Sequence, residues 1–374
     1  MQEAGPMSEV TTRHLGLDVH KATISVAVAD PGAAPVLYGT IANEVGAVRK
    51  LVSQLKRGCQ LVAAYEAGPT GYGLHRQLSE LGVKCVVIAP ALIPRRAGDR
   101  VKTDNRDAIT LARLLRSGDL TPVWVPSQED EALRDLVRAR FDAKDDLRRA
   151  QHRLSKFLLR QGIQPPVGMT TWSARFQSWL NTLKLERPGS QLVLEDYRAT
   201  ERAARDRIRR LEADLKSCAE KSPRLDLVLA LQVLRGIAFL SAVTIVAEVG
   251  DFRRFADAPR FMSFTGLTAS EYSSGQSRRQ GGITHAGNRY LRHILVQAAH
   301  NARYTPTLDG TVKRRLRGVP ADLVELSLRA QTRLHRRYRH LDRRIGRAKA
   351  VTAVARELAG FVWAVGQRME ATAA

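Results

Sequence analysis

Four acidic side chains stand at positions where a divalent metal could bind. Asp18 lies within a first apolar strand, in G-L-D-V-H, and Glu66 directly follows a later strand, L-V-A-A-Y. Asp104 and Asp107 begin an amphipathic helix, and their i, i+3 spacing places both carboxylates on one helix face. Mg²⁺ prefers carboxylate oxygens, and a pair of metals can stabilise the attacking and leaving oxygens of a phosphodiester. The four acids therefore predict a metal centre for phosphodiester chemistry.

Basic residues precede and interrupt the two helix acids. Taken alone, Asp104 and Asp107 could simply be charges favoured at a helix N-terminus. Acidic residues surrounded by basic residues instead indicate a site that binds a polyanion. We expect these cations to contact nucleic acid: Arg95, Arg96, Arg100, Lys102 and Arg106.

A segment rich in serine, arginine and glycine, expected to be a loop over residues 267–282, is the second candidate site. Ser274 and Gly275 offer a hydroxyl on an adaptable backbone, and Arg278 and Arg279 offer cations for a transferring phosphate. From residue types alone, this segment is either nucleophilic or a phosphate-binding loop without a covalent role. Further candidates for nucleic-acid contacts follow it: His285, Asn288 and Arg292.

An α/β domain over residues 12–126 is needed to position the acids. Residues 13–30 alternate as a β-hairpin, and a third strand and a helix follow. Two later strands flank a short helix over residues 71–81, and the second of them, Lys84–Ile88, is of the buried parallel type. The acids would then lie at strand ends and at one helix start.

Long helices are predicted beyond residue 126. Two charge-rich helices, over about residues 127–162 and 192–220, indicate a coiled-coil linker and dimerisation region over 127–222. An ordinary helical bundle inside one subunit is the alternative. A mainly α-helical C-terminal domain is expected over 223–370, and within it residues 235–237 predict a tight turn between two helices.

The charge of the chain indicates its partner. Its 374 residues contain 60 Lys and Arg against 37 Asp and Glu, a formal net charge of +23. Such an excess is self-repelling, so we expect a nucleic acid as the partner. The sequence contains no run of the roughly 18 apolar residues that a membrane span needs and no export signal. We therefore expect a cytoplasmic, nucleoid-associated protein with no membrane partner.

The motifs resemble those of the DEDD transposases of bacterial insertion sequences. They are, in order, G-L-D-V-H-K, Y-E-A-G-P-T-G-Y, K-T-D-N-R-D-A and G-L-T-A-S-E-Y-S-S-G-Q-S-R-R-Q-G-G-I-T-H-A-G-N. The resemblance covers essentially the whole chain. It implies an RNase H-like (RuvC-like) N-terminal domain, a coiled-coil linker and a helical C-terminal transposase domain. It also implies a catalytic tetrad that binds two Mg²⁺ ions, with Mn²⁺ as a substitute: Asp18, Glu66, Asp104 and Asp107.

The resemblance further implies a covalent mechanism and its partners. The family's nucleophilic serine precedes a glycine, two residues after a tyrosine, and maps onto Ser274; the neighbouring Ser273 is the alternative. The expected activity is Mg²⁺-dependent strand cleavage and exchange through a phosphoserine–DNA intermediate. The expected partners are double-stranded donor and target DNA, a noncoding guide RNA from the element, and further copies of the chain, as a dimer that becomes a tetramer during recombination.

Three other interpretations compete with this one. A metal-dependent endonuclease of branched DNA would use water and leave the serine segment without a role. A catalytically inactive nucleic-acid-binding protein would need none of the acids. An actin-like nucleotide-binding protein shares the opening topology, but the chain has no later glycine-rich phosphate loop and the basic excess would be unexplained.

Overall fold

The computed structural model describes residues 11–94, 103–275, 277–307, 315–316 and 318–372. The chain divides between Val125 and Pro126 into two compact units. The strands of the N-terminal unit are β1 (Thr12–Val19), β2 (Thr23–Ala29), β3 (Val36–Ala42), β4 (Gln60–Glu66) and β5 (Lys84–Ile88). Its helices are α1 (Val45–Leu55), α2 (Gly73–Glu80) and α3 (Asp104–Ser117).

The five strands form one mixed sheet in the order β3-β2-β1-β4-β5. β2 runs antiparallel to both β1 and β3, whereas β4 runs parallel to β1 and β5 runs parallel to β4. The antiparallel part follows from short connections such as the His20–Ala22 turn, because a tight turn reverses the chain. The parallel part follows from helical crossovers. The predicted α/β architecture of this unit is confirmed.

The two faces of the sheet are packed differently. Buried leucines and valines of α1 and α2 cover one face, and α3 covers the other. A Cβ on Gly16 of β1 would lie 2.1 Å from the Ala108 carbonyl oxygen and 2.3 Å from the Ala112 amide nitrogen. Ala27 and Ala29 of β2 pack against the same two alanines of α3. Side chains this small let the helix backbone approach the sheet backbone directly.

The C-terminal unit is mainly helical, as predicted. Its helices are α4 (Gln128–Arg160), α5 (Ala174–Thr182), α6 (Pro188–Glu220), α7 (Leu225–Leu231), α8 (Phe239–Val249), α9 (Ala258–Phe264), α10 (Arg289–Ala299), α11 (Ala321–Ile345) and α12 (Arg347–Thr372). Among the described residues, no helix is both long enough and apolar enough to cross a membrane.

Helices α4 and α6 run antiparallel beside each other. Along α4, Arg140 pairs with Glu212, Asp146 with Arg207 and Gln151 with Glu201, so rising numbers on α4 meet falling numbers on α6. One end of the pair contributes to the large apolar core built with α7 to α12. The other end has a small core of its own, in which α5 supplies Phe176 and Leu180. The α4–α6 pair, about 50 Å long at 1.5 Å per residue, thus joins two separate cores.

The segment over residues 267–282 is not the loop that the sequence predicted. Its residues form an antiparallel hairpin of β6 (Ala269–Ser274) and β7 (Ser277–Ile283). The prediction was wrong because both strands are polar and exposed, so no apolar alternation marks them as strands. The predicted tight turn at residues 235–237 does join two helices, and a Cβ on Gly236 would lie 2.5 Å from the Ala298 carbonyl oxygen. Packing within the chain therefore explains this glycine.

Replacing Gly16 by alanine should separate α3 from the sheet. The added methyl group has no space against the α3 backbone, so we expect a loss of about 2–3 kcal/mol in the free energy of unfolding. Gly46→Ala in α1 is the matched control, because a Cβ there meets nothing within 4 Å. Urea denaturation of the full chain measures both variants. Equal midpoints for the two would contradict the close approach of α3.

Candidate metal centre and serine hairpin

Asp18 lies near the end of β1, on the sheet face that α3 covers. Gly16, two residues earlier, contacts α3 directly, and side chains two residues apart on a strand share a face. The Asp18 side chain is only 19% exposed. Burial raises the pKa of the Asp18 carboxyl above its ordinary value, and the negative charges of Asp104 and Asp107 raise it further, whereas His20 lowers it. Helix and strand thus hold three carboxylates near one another.

The first turn of α3 carries two of these carboxylates. Thr103 caps the helix, because its side-chain oxygen accepts a hydrogen bond from the Arg106 amide. This cap fixes where the helix begins and so places Asp104 and Asp107 in the first turn, next to the positive end of the helix dipole. The Asp104 side chain is 62% exposed, so it is open to a ligand.

His20 joins this cluster and was missed by the sequence analysis. Its Nε2 lies 3.3 Å from Asp18 Oδ2 and 3.3 Å from Asp104 Oδ2. The turn between β1 and β2 holds the residue in place: its amide donates to the Thr23 carbonyl, and its carbonyl accepts from Asn43 Nδ2. The sequence feature that could have identified His20 was its position in G-L-D-V-H-K, two residues after Asp18. Among the described residues, Asp18, His20 and Asp104 form a group whose ligand atoms could hold a metal ion.

Glu66 ends β4, the parallel neighbour of β1. The last pair in the β1–β4 register is Leu17 with Tyr65, so Asp18 and Glu66 are the next residues on the two strands. Parallel strands in register bring such residues to the same edge of the sheet. The carboxylates of Asp18 and Asp104 are hard oxygen ligands that fit Mg²⁺ or Mn²⁺.

The serine hairpin places Ser274 beside its turn. Ser274 pairs with Ser277 across the turn, and Gly275 has a left-handed φ of 56°. A short hairpin turn needs such a residue, and glycine adopts this conformation without strain. The hairpin therefore displays Ser274 at its exposed end.

Ser273 and Ser274 point to opposite faces of the hairpin, since side chains alternate along a strand. The Ser273 hydroxyl donates to Glu271 Oε1 at 2.8 Å. Within the part of the chain that the structure describes, the Ser274 hydroxyl has no hydrogen-bond partner. It shares its face with Tyr272, which is 76% exposed and pairs with Arg279. The backbone of Arg278 pairs with Ser273.

Two glycines form a bulge at the base of this hairpin. The register shifts by one residue between the Ala269–Ile283 pair and the Glu271–Gln280 pair, so Gly281 and Gly282 lie opposite Ser270. A Cβ on Gly281 would lie 2.4 Å from Ser270 Oγ, and this hydroxyl donates to the Gly282 carbonyl. A side chain at Gly281 would therefore have to displace the Ser270 hydroxyl from this hydrogen bond.

Asn288 connects the end of the motif to the core of the unit. Its side-chain oxygen accepts from the amides of Tyr290 and Leu291 and so caps α10. Its Nδ2 donates to Glu248 Oε2 at 2.7 Å, and Glu248, only 2% exposed, receives two further hydrogen bonds from Arg138 of α4. This network joins three helices at the point where the chain leaves the hairpin.

The remaining predicted nucleic-acid contacts are placed as follows. Arg95, Arg96, Arg100 and Lys102 lie outside the described residues. Arg106 and Arg279 are exposed. His285 is exposed and has a left-handed φ of 55°, whereas Arg292 donates to the carbonyls of Thr265 and His285. Burial lowers the pKa of the Arg292 guanidinium.

Comparison with known proteins gives consistent matches along most of the chain. Residues 15–162 match a family model described as a transposase, and residues 229–311 match a model described as the transposase IS116/IS110/IS902 family. The protein named "Putative transposase y4qE" from Sinorhizobium fredii is 41% identical over 365 residues, covering 96% of this chain and 89% of its own length.

Two further relatives are named for insertion sequences. The transposase for insertion sequence element IS1533 of Leptospira borgpetersenii is 34% identical over 334 residues, which is 88% of this chain and 96% of that protein. The transposase for insertion sequence element IS1111A of Coxiella burnetii is 26% identical over 337 residues, which is 85% of this chain and 80% of that protein.

Removing the Asp18 charge should stabilise the metal-free protein. Because the folded state raises the pKa of this carboxyl, its ionisation at neutral pH costs folding free energy. We expect Asp18→Asn to raise the melting temperature by roughly 1–3 °C and to remove the further rise that Mn²⁺ or Mg²⁺ gives to the wild type. Asp119→Asn, at an exposed position after α3, is the control. A metal-dependent rise that persists in Asp18→Asn would contradict the predicted centre.

The contact between Asn288 and Glu248 can be separated from helix capping. Aspartate caps helices as well as asparagine does, so capping alone predicts that Asn288→Asp is neutral and that Asn288→Ala loses about 1 kcal/mol. The facing Glu248 carboxylate makes Asn288→Asp the worse change, with a loss of about 3 kcal/mol. Chemical denaturation measures both. The double variant Asn288→Asp with Glu248→Gln should recover most of the loss, and a failure to recover would show that repulsion is not the cause.

Proposed function

The chain belongs to the IS116/IS110/IS902 family of insertion-sequence transposases, and we propose that it cleaves and rejoins DNA through a covalent phosphoserine at Ser274. The observation that carries this proposal is the pairing of two sites in one chain. One is a cluster of carboxylates at a sheet edge, and the other is an exposed serine hydroxyl at the end of a hairpin.

The metal-binding residues in this proposal are the tetrad of Asp18, Glu66, Asp104 and Asp107, with His20 beside them. The acids would hold two Mg²⁺ ions, or Mn²⁺ in their place, and these ions would supply positive charge to the oxygens of the scissile phosphate. Asp18 and Asp104 support this role most directly, because their oxygens lie within reach of one ion. Burial raises the pKa of Asp18, and the charges of Asp104 and Asp107 raise it further, as expected where carboxylates gather at one site.

Ser274 supplies the nucleophile in the proposed reaction. Its Oγ forms a bond to phosphorus, its proton leaves to solvent, and the bond from phosphorus to the leaving strand oxygen breaks. The leaving oxygen takes up a proton and becomes a free strand end. A strand end of the second DNA then attacks the phosphoserine and releases Ser274, so the phosphodiester bond energy is retained without ATP. Arg278 and Arg279 would stabilise the charge on the phosphate during transfer.

The fold and the domain division support the same activity. We assign residues 12–126 to an RNase H-like (RuvC-like) catalytic domain, because its sheet has three leading antiparallel strands followed by two parallel ones. Residues 127–222, with the antiparallel α4–α6 pair, would form a coiled-coil region for dimerisation. Residues 223–370 would form the C-terminal transposase domain that carries Ser274.

The proposed partners follow from the charge and the family. The net charge of +23 fits simultaneous binding of donor and target DNA together with a guide RNA from the element, which would select both DNA sequences by base pairing. Nucleic-acid contacts would include Arg95, Arg96, Arg100, Lys102, Arg106, Gly275, His285, Asn288 and Arg292. We propose action at the bacterial nucleoid by a dimer, with two dimers joining as a tetramer for strand exchange.

Trapping of a protein–DNA adduct tests the proposed mechanism. Wild-type protein is mixed with labelled element-end DNA, RNA from the flanking noncoding region and Mg²⁺, then separated on a denaturing gel. We expect an adduct for the wild type and for Ser273→Ala, because the Ser273 hydroxyl is engaged by Glu271. We expect none for Ser274→Ala or for Asp104→Asn.

The outcomes separate the competing mechanisms. Cleavage that survives Ser274→Ala without any adduct would make the protein a nuclease that uses water. An adduct lost in Ser273→Ala but retained in Ser274→Ala would move the nucleophile to Ser273. Unchanged DNA binding with neither cleavage nor adduct in the wild type would indicate a catalytically inactive binding protein.

A further inference from the structure

The far end of the α4–α6 pair contains a cavity that the proposed function does not use. Its volume is about 300 Å³, and it lies between α5 and α6, beside Leu154 of α4. This size falls within the range of ligand-binding pockets. Charged and amide side chains form most of its lining, so its chemistry differs from that of the apolar core beside it.

Four arginines of α6 line this cavity: Arg198, Arg202, Arg205 and Arg209. Their spacings of four, three and four residues place them on one face of the helix over three turns. Arginine presents several N–H donors in a planar group, which matches the oxygens of a phosphate. The face of α6 toward the cavity is therefore a row of phosphate-binding groups.

Two of the four arginines are neutralised by acids in the cavity wall. Arg205 pairs with Glu201, which is 3% exposed and also accepts from Gln151 Nε2 at 3.1 Å. Arg209 lies 3.3 Å from Asp206. These pairs build the cavity wall but contribute no net charge.

The other two arginines have no acidic partner among the described residues, so their charge is not compensated. Arg198 donates to the amide oxygen of Asn181, which is neutral. Arg202 is exposed and has no acidic partner among the described residues. Gln177 also lines the cavity, and its Nε2 is buried and lacks a hydrogen-bond partner within the described chain. The cavity thus offers N–H donors and two uncompensated positive charges, and a ligand that satisfies them must be an anion with several oxygens.

We propose that this cavity binds a backbone phosphate of a single-stranded nucleic-acid segment. A flexible strand can turn one phosphate into a cavity of this size, whereas a stacked duplex holds its phosphates on a rigid outer surface. The proposal rests on the proposed function for the class of its ligand, nucleic acid. The site lies on the arm of α4, α5 and α6, and it requires neither the acids of the N-terminal unit nor Ser274.

Fluorescence anisotropy of the full chain tests this site. The probes are short single-stranded RNA and DNA of one sequence, each titrated at several salt concentrations. The variant is Arg198→Gln with Arg202→Gln. The matched control is Arg153→Gln with Arg210→Gln, which removes the same charge from exposed positions of α4 and α6 outside the cavity. Arg205 is kept, because its loss would leave the buried Glu201 without a counter-charge.

We expect the cavity variant to lose affinity about tenfold, and its slope of log affinity against log salt to fall by about 0.7 for each phosphate that the variant no longer neutralises. The control should keep most of its affinity, and both variants should melt near the wild-type temperature. A loss for RNA alone would identify RNA as the source of the phosphate, and a loss for both probes would identify the shared backbone.

Equal losses in the two double variants, or no loss in the cavity variant, would overturn the proposal. These results are independent of catalysis. Adduct formation by wild-type protein together with unchanged binding by the cavity variant would contradict only the proposal for this cavity. If the protein forms no adduct but its binding depends on the cavity, only the proposed phosphoserine reaction would be contradicted.

Discussion

The candidate metal centre depends on how closely α3 approaches the sheet. At Gly16 the backbones of β1 and α3 are so close that a Cβ atom would not fit between them. The facing alanines of β2 and α3 allow a similarly close approach. Two consequences follow at once. The strand acid Asp18 comes under the first turn of α3, and the bulk of the helix removes water from it. Proximity of like charges and loss of water both oppose ionisation, so the same packing creates the site and makes it costly without a cation.

The sequence predicted the elements of the N-terminal unit well because its strands are apolar. Lys84–Ile88 and the start of α3 are examples: a buried run and a threonine cap leave clear patterns. His20 was missed because its contact with Asp104 depends on a turn and a helix far apart in the chain. The β6–β7 hairpin was missed because neither of its faces is buried. The start of α4 combines local and distant contacts: the Ser127 side chain accepts a hydrogen bond from the Asp130 amide, whereas the Asp130 carboxylate pairs with Arg224, far away in the sequence.

The C-terminal unit uses buried charge to fix the position of polar segments. Arg134 and Arg138, one turn apart on α4, both reach the end of α8, where they bind the Ala247 carbonyl and Glu248. Buried ion pairs add little net stability, but removing one partner is costly, so they favour one arrangement over its neighbours. Through Asn288, this arrangement extends to the first turn of α10. The exposed β6–β7 hairpin has no core of its own, and this network fixes the position of the chain shortly after the hairpin ends.

The bulge at Gly281 and Gly282 has a consequence for where the hairpin places Ser274. The extra residue lies in β7, whereas side chains alternate without interruption along β6 from Ala269 to Ser274. A bulge bends the strand that contains it and increases the local twist of the pair. Deletion of one glycine would therefore keep Ser273 and Ser274 on their present faces of β6 and change the direction in which the end of the hairpin projects. The direction in which a candidate nucleophile is presented thus depends on two glycines several residues away, on the opposite strand.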